Sequence, residues 1–415
     1  MNNKHIFCIL ALFISIGASS QSSTETEFLF QFGVKDSIHS QVLNENRTFW
    51  IQLPNGGNLE EGVEYPVLYL LDGRMHFDAI AATLNHNSPA WIPSMIVVGI
   101  SNRENRNRDL TTSKVTHRRG FPFRGESGEA DKFIQFLKDE LIPYIDATFP
   151  TLDYRTLVGH SYGGLFTINA FLKHTDLFNN YLAIDPSLDW DNQKLLKESK
   201  GILKKKTFDN TSLFITLANG LFRFREDLNV YNVMTDTTDV SLGMRSNFDF
   251  IKTIQSAKKD GIKFSWKLYE NQIHGTVPLI SIHDGLREIF TWYRLENAHI
   301  YNNLDIPTED LVDVISYREE KLSKHFGKKT PPFEENLLNM LGYMSMDSGN
   351  MGKAKKIFEL NMEYYPTSAN VYDSMADYYI AQKDKKNALT YLRKAFEISN
   401  SEAHKKKMED ILNMD

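Results

Sequence analysis

The chain has 415 residues, more than the roughly 250 to 300 that a single hydrophobic core usually serves, so two domains are expected. Hydrophobic residues make up 41%, charged residues 24%, and the formal net charge is −6. This is the composition of a folded protein. It gives no electrostatic reason to expect nucleic acid or an anionic membrane surface as a partner.

The N-terminal segment has the pattern of a secretory signal peptide. Lys4 and His5 precede an apolar run at residues 6–16, and small residues follow at 17–20. The pattern predicts a signal peptide at 1–20, cleavage near residues 20 and 21, and a mature protein in the periplasm or outside the cell with no membrane span. Because the only cysteine, Cys8, lies inside the signal, the mature protein would have no disulfide, catalytic thiol or cysteine-ligated metal.

Short apolar runs alternate with helix-like segments through the first two thirds of the chain. Helices are predicted at 77–84, 130–145 and 279–293 from the spacing of their apolar residues. Strands are predicted at 47–53, 67–71, 95–100, 181–184, 213–217 and 264–268. Continuous apolarity is typical of strands buried on both faces, so we predict a doubly wound α/β sheet forming one domain at 25–297.

Beyond residue 297 the strand-like runs stop and the chain becomes helical, polar and lysine-rich. A shift of 34 residues pairs similar positions in this segment, which is the period of the tetratricopeptide repeat. The pairs are Leu338 with Tyr372, Gly342 with Ala376, Ala354 with Ala388, and Phe358 with Leu392. We predict a linker and bridging helix at 298–332 and a small all-α domain of helical repeats at 333–413.

The run Gly159-His160-Ser161-Tyr162-Gly163 fits the G-x-S-x-G nucleophile elbow. In that motif a strand ends at a sharp turn that exposes the serine, and a helix begins directly after it. The apolar residues before Gly159 and the helix-like segment after Gly163 supply this context. Ser161 is therefore the predicted nucleophile.

A serine nucleophile needs a base, and in the chain order of α/β hydrolases the histidine comes last. His274 lies in a loop between the last predicted strand and the closing helix, which makes it the predicted base. The third group should follow the strand at 213–217, where no acid comes at once. Asp227 is the first choice and Asp236 the second. Asp185 is a further candidate, and a serine–histidine dyad oriented by a backbone carbonyl is the alternative.

Backbone N–H groups should stabilise the oxyanion that forms during acyl transfer. Tyr162, the residue after the nucleophile, supplies one such group by the geometry of the motif. The loop after the strand at 67–71 should supply the other from Gly73 or Arg74.

Three further side chains are predicted to contact substrate. Arg103 and Arg106 follow the strand at 95–100, at a sheet edge where α/β proteins bind ligands, and could hold an anionic group. Trp190 could form a wall for an acyl or aromatic group. The histidines show no metal-ligand spacing, so neither a metal nor another cofactor is expected.

Several segments together resemble the putative-esterase branch of the α/β-hydrolase superfamily, which includes siderophore esterases and esterase D. The resemblance covers about residues 28–293. The segments that carry it are residues 42–47 (VLNENR), 65–73 (YPVLYLLDG), 158–164 (VGHSYGG), 185–187 (DPS) and 274–278 (HGTVP).

This resemblance implies a serine esterase with an α/β-hydrolase fold, acting on a siderophore or carbohydrate ester through Ser161 and His274, and the signal pattern adds the expectation of export. Siderophore-type members can use a dyad, which leaves the third residue open. Two alternatives remain: acyl transfer at the same site, and a protein-binding role for the helical repeats with the hydrolase domain as scaffold.

Overall fold

The computed structural model describes residues 33–413 except 58, 258 and 304. The predicted signal peptide lies outside these residues. None of the helices in the part described is long and apolar enough to cross a membrane.

Eight strands form one mixed sheet in the order β1-β2-β4-β3-β7-β8-β9-β10. The first two strands are antiparallel to their neighbours, and the other six run parallel. A separate two-stranded hairpin, β5 with β6, lies between β4 and β7 in the chain. The strands are β1 (Val34–Ser40), β2 (Glu45–Gln52), β3 (Tyr65–Leu70), β4 (Ile96–Ile100), β5 (His117–Arg118), β6 (Phe121–Pro122), β7 (Thr151–His160), β8 (Asn180–Ile184), β9 (Thr211–Ala218) and β10 (Ile262–Tyr269).

Helices connect the parallel strands and continue to the end of the described chain. Those of the sheet region are α1 (Gly73–Asn87), α2 (Arg106–Leu110), α3 (Ala130–Phe136), α4 (Ile142–Thr148), α5 (Tyr162–Lys173), α6 (Trp190–Lys205), α7 (Leu242–Ala257) and α8 (Val277–Ile289). Those that follow are α9 (Ala298–Tyr301), α10 (Thr308–Phe326), α11 (Glu335–Asp347), α12 (Met351–Tyr364), α13 (Ala369–Ala381), α14 (Lys385–Ser399) and α15 (Glu402–Leu412).

The central strands of the sheet are buried on both faces. On β3, Val67 and Tyr69 pack into a cluster with α3 to α7, whereas Leu68 and Leu70 pack into a second cluster with α1, α8 and α10. Side chains of a strand alternate between faces, so a strand covered on both sides must be apolar throughout. The doubly wound α/β sheet predicted from the apolar runs is confirmed.

Helix α10 packs against both the sheet and the helices that follow it. Leu322 and Phe326 at its end belong to the cluster on the sheet, while Leu311 and Ile315 near its start belong to a cluster formed with α11, α12 and α13. The helices that follow pack in antiparallel pairs. The proposed repeat positions fit this packing, because a Cβ on Gly342 would lie 2.4 Å from the ring of Phe358. The C-terminal all-α region is confirmed, and the domain boundaries stay predictions.

Candidate active site

Ser161 lies at a sharp turn between β7 and α5, with φ 62° and ψ −113°. This region of φ and ψ costs energy for a non-glycine residue and is the strained turn that the elbow motif requires. A Cβ on Gly159 would lie 2.3 Å from the carbonyl oxygen of Gly163, so only glycine lets the strand and the helix approach this closely. The turn places the serine at the carboxyl edge of the sheet.

Ser161 is joined to His274 and Asp185 by a chain of hydrogen bonds. His274 Nε2 lies 3.0 Å from Ser161 Oγ, and His274 Nδ1 lies 2.6 Å from Asp185 Oδ2. The other carboxylate oxygen of Asp185 accepts from the backbone N–H of Ala218 at 3.4 Å. Serine, imidazole and carboxylate therefore have the connectivity of a Ser-His-Asp triad.

Neither of the two acids preferred from the sequence occupies this position. Asp227 forms an ion pair with Arg225 and its side chain is 65% exposed. Asp236 accepts hydrogen bonds from Thr238 and Ser241, which lower its pKa to about 2. Both carboxylates are held within the long connection after β9, and the structure places Asp185 where a third triad member belongs.

The sheet order explains why Asp185 lies against His274. Strand β8 lies directly beside β7, so the residue after β8 is next to the nucleophile turn. Two backbone hydrogen bonds join these turns, from Ser161 N–H to Ile184 O at 3.0 Å and from Ser187 N–H to Ser161 O at 3.1 Å. Asp185 has φ 39°, which aims its side chain from this turn toward His274. An acid at the first position after a strand was the available sequence signal.

The residues expected to supply oxyanion donors begin two helices. Gly73 and Arg74 start α1, and Tyr162 starts α5. The first N–H groups of a helix have no partner within it, and neither helix has a side-chain cap. The two ends are close together, because a Cβ on Gly163 would lie 3.5 Å from an oxygen of Asp72.

The three side chains expected to contact substrate have different surroundings. Arg103 lies exposed in the turn after β4. Arg106 is paired with Asp72 through two hydrogen bonds of 2.8 Å. Trp190 is 1% exposed, and its indole nitrogen donates to Ser113 O at 3.1 Å. It packs edge-on against Tyr162 with 5.2 Å between ring centroids, so it supports the residue after the nucleophile and does not line the cleft.

A cleft of about 350 Å³ opens beside Ser161 and His274. Arg118 and Arg119, from the β5–β6 hairpin, line it and share the carboxylate of Asp189. Phe224, which is 71% exposed, also contributes to the wall. The arginine pair was not predicted from the sequence. Its only sequence signal was the turn-forming Gly120 directly after it.

Two more histidines lie behind His274. The His160 ring lies 4.5 Å from the His274 ring and 5.5 Å from the His76 ring. Burial, followed by the charges of the neighbouring histidines, lowers the pKa of His160 to about 3. Burial also lowers the pKa of His76. Both rings are therefore neutral near neutral pH and place no positive charge behind His274.

The described residues contain no group of three or more histidine, cysteine or acidic side chains placed to hold a metal ion.

Comparisons with known proteins agree with this geometry. A family model described as "Putative esterase" matches residues 40–222, and a tetratricopeptide-repeat model matches residues 369–402. The ferri-bacillibactin esterase BesA of Bacillus subtilis is 32% identical over 192 residues, which is 43% of this chain and 66% of that protein. The siderophore triacetylfusarinine C esterase of Aspergillus fumigatus is 28% identical over 159 residues, which is 34% of this chain and 50% of that protein.

This chain thus spans between half and two thirds of the length of these two curated relatives. Among solved structures, an IroE-like serine hydrolase from Shewanella oneidensis superposes with a TM-score of 0.64 at 28% identity, covering 80% of this chain and 99% of that one. The matched family residues include the nucleophile turn and Asp185. Residues 40–222 of this chain thus match a putative esterase domain, and residues 369–402 match a tetratricopeptide repeat.

Proposed function

We propose that this protein is a serine esterase that hydrolyses a carboxylic ester of a siderophore through an acyl-serine intermediate. The observation that carries the proposal is the chain from Ser161 Oγ to His274 Nε2 at 3.0 Å and from His274 Nδ1 to Asp185 Oδ2 at 2.6 Å. Geometry of this kind lets a neutral imidazole accept the serine proton.

In the first half of the reaction, Ser161 Oγ attacks the ester carbonyl carbon while His274 Nε2 takes the hydroxyl proton. The carboxylate of Asp185 stabilises the imidazolium that results. The carbonyl oxygen becomes an oxyanion and accepts hydrogen bonds from the N–H groups of Tyr162 and of Gly73 or Arg74. His274 then returns the proton to the leaving alcohol oxygen, the ester bond breaks, and the acyl group stays on Ser161.

In the second half, water replaces the alcohol. His274 Nε2 takes a proton from water, the hydroxide oxygen attacks the acyl carbon, and the proton passes to Ser161 Oγ as the acid leaves. The His274 side chain is 53% exposed, so water reaches the base directly from solvent. This exposure favours hydrolysis over transfer to another alcohol.

The cleft supports a siderophore ester as substrate. Two curated relatives are named as esterases of siderophores. Arg118 and Arg119 share one carboxylate, Asp189, and the other acid of the cleft, Asp185, is bonded to His274, so the arginine pair offers a local positive charge to an anionic chelate. Phe224 offers an exposed aromatic surface at the same cleft.

The proposal is tested by labelling and hydrolysis. A fluorophosphonate should label the purified protein at Ser161, which mass spectrometry of the peptide would identify. Ser187 Oγ, 3.4 Å from Ser161 Oγ, is a matched neighbouring hydroxyl, so Ser187→Ala should still be labelled and Ser161→Ala should not. Hydrolysis of ferric tri-ester siderophores should be measured beside p-nitrophenyl butyrate. Full activity in Ser161→Ala would refute the proposal.

Acyl transfer is the second reaction this site could perform. It would use the same residues, with an added alcohol in place of water. Product analysis in the presence of acceptor alcohols tests it, and we expect the free acid to dominate because His274 is open to solvent.

We also propose that the protein is exported, on the basis of the signal pattern at residues 1–20. Cell fractionation with N-terminal sequencing of the mature protein tests this, and an intact N-terminus in the cytoplasm would contradict it.

A protein partner for the helical repeats is a further proposal, supported by the repeat match at 369–402. Pull-down with the full chain, compared with a chain ending before residue 333, should show capture of a partner only by the full chain.

A further inference from the structure

Arg106 joins two segments that are far apart in sequence. From the start of α2, its Nε and Nη2 donate to the two carboxylate oxygens of Asp72 at 2.8 Å each. Nη2 also donates to the carbonyl oxygen of His160 at 3.2 Å. The side chain of Asp72 is 3% exposed, whereas that of Arg106 is 26% exposed, so the carboxylate is buried and the guanidinium is partly open to solvent.

Both segments lead directly into the expected oxyanion donors. Asp72 precedes Gly73 and has φ 54°, and its own N–H donates to the buried side chain of Asn102 at 3.1 Å. His160 precedes Ser161 and therefore stands two residues before Tyr162. The α1 terminus is also tightly packed, because a Cβ on Gly73 would lie 2.5 Å from the backbone of Gly99.

The Arg106 guanidinium also packs on the ring of Tyr162, 5.2 Å from its centroid. Arg118 lies 5.0 Å from the same ring and donates to the Tyr162 hydroxyl, and Trp190 packs against its edge. Tyr162, which supplies one oxyanion donor, is thus held in place by the contacts of its side chain. Arg106 contacts it and the loop that supplies the second donor.

These contacts do not fit the substrate-binding role expected for Arg106 from the sequence. The Arg106 guanidinium donates three hydrogen bonds, two to the carboxylate of Asp72 and one to the carbonyl oxygen of His160, and its charge is balanced by Asp72. It is not among the residues that line the cleft beside Ser161.

We propose that Arg106 is a positioning residue that sets the distance between the two oxyanion donors, Tyr162 and the Gly73–Arg74 turn. This inference rests on the proposed serine-esterase function. The donors must lie about 2.7 to 3.1 Å from the developing oxyanion. The planar Arg106 guanidinium makes two parallel hydrogen bonds to Asp72, and this geometry fixes the position of the turn at Asp72. A lysine ammonium is a point charge and would not fix that position.

The test is the kinetics of Arg106→Gln and Arg106→Lys with the neutral ester p-nitrophenyl butyrate. A misplacement of about 1 Å in an active site can lower the rate about 100-fold, so we expect kcat to fall about 10- to 100-fold in both variants. KM should change by less than about twofold, because the hydrogen bonds from the two donors to the oxyanion are made only in the transition state. The inhibition constant of a boronic acid, which forms a tetrahedral adduct on Ser161, should rise by the same factor as kcat falls.

Arg155→Gln is the matched control. Arg155 lies on β7, the strand that ends at His160, and it pairs with Asp146 at 2.8 Å. It precedes His160 by five residues, which is about 16 Å along the strand. This variant should melt at a lower temperature than the wild type with an unchanged kcat. Asp72→Asn should reproduce the kinetics of Arg106→Gln, and the double variant should be no slower than the slower single variant. If Arg106→Gln does not fold, Asp72→Asn with the boronic acid carries the test.

An unchanged kcat in both Arg106 variants would overturn the inference. So would a raised KM that occurs only with anionic esters and is restored by lysine, since that is the result for a direct substrate contact. Either outcome with an inactive Ser161→Ala would leave the esterase function standing, whereas an active Ser161→Ala would refute that function itself.

Discussion

Replacing Asp185 with asparagine should lower kcat for ester hydrolysis about 10²- to 10³-fold. The change is nearly isosteric, and asparagine tolerates the φ of 39° at this position. Its amide oxygen can still accept from Ala218 N–H. The amide nitrogen would then face His274 Nδ1 and donate to it. The ring proton would move to Nε2, which could no longer accept the proton of Ser161.

The magnitude follows from the charge that is lost. Two unit charges about 4 Å apart attract by about 4 kcal/mol at an effective dielectric constant of about 20, and by about 1 kcal/mol in water. The Asp185 side chain is 16% exposed and that of His274 is 53% exposed, so the site lies between these limits. A loss of about 3 kcal/mol corresponds to about 100-fold in rate, and the wrong tautomer adds to it.

The assay is steady-state hydrolysis of p-nitrophenyl butyrate at neutral pH by the wild type and by Asp185→Asn. Asp227→Asn and Asp236→Asn are the matched comparisons, because sequence reasoning preferred those acids and the structure pairs them elsewhere. Both should keep wild-type kcat. Retention of more than about one tenth of wild-type kcat in Asp185→Asn, or a loss of about 100-fold in Asp227→Asn, would refute the assignment.

Three further predictions concern stability and the nucleophile turn. His160 has a pKa of about 3 in the folded protein against about 6.5 when unfolded. Its contribution to the free energy of unfolding is therefore fully present above pH 6.5 and is lost as the pH decreases, because the unfolded state then binds a proton that the folded state does not. Urea unfolding should show a loss of about 2 kcal/mol from this residue between pH 6.5 and 5, and an equally acid-sensitive His160→Gln would contradict the reasoning. Gly159→Ala places a methyl group 2.3 Å from the Gly163 carbonyl oxygen, so it should destabilise the fold by about 1 to 3 kcal/mol in thermal unfolding and weaken fluorophosphonate labelling. Phe326→Ala should cost about 3 to 5 kcal/mol without changing KM, whereas Tyr317→Ala, exposed on the same helix, should leave the melting temperature unchanged.

Local patterns were enough to predict the buried strands of the sheet and the nucleophile turn, but not the edge strand β1 (Val34–Ser40). The apolar runs at β3, β4, β8 and β9 are signals carried by a few consecutive residues, because strands covered on both faces need apolar side chains at every position. Similarly, the 34-residue period predicts paired helices from positions that must be small or large for the helices to pack.

The third catalytic group could not be chosen in this way. Asp185 and Asp227 both follow predicted strands, and their distances from Ser161 depend on which strands are neighbours in the sheet. The order β7-β8-β9 brings the turn after β8 to Ser161. The pairing of Arg106 with Asp72 was not predicted for the same reason, since Asp72 lies 34 residues earlier in the chain.

The sequence by itself determined the fold class, the serine in its strained turn and the histidine that follows the last strand. These depend on residue type and spacing within short segments. Only the tertiary structure decided that Asp185 contacts His274, that Trp190 supports Tyr162 from within the core, and that Arg106 binds Asp72. Such contacts join segments through the pairing of strands, and pairing is set by the packing of the whole sheet.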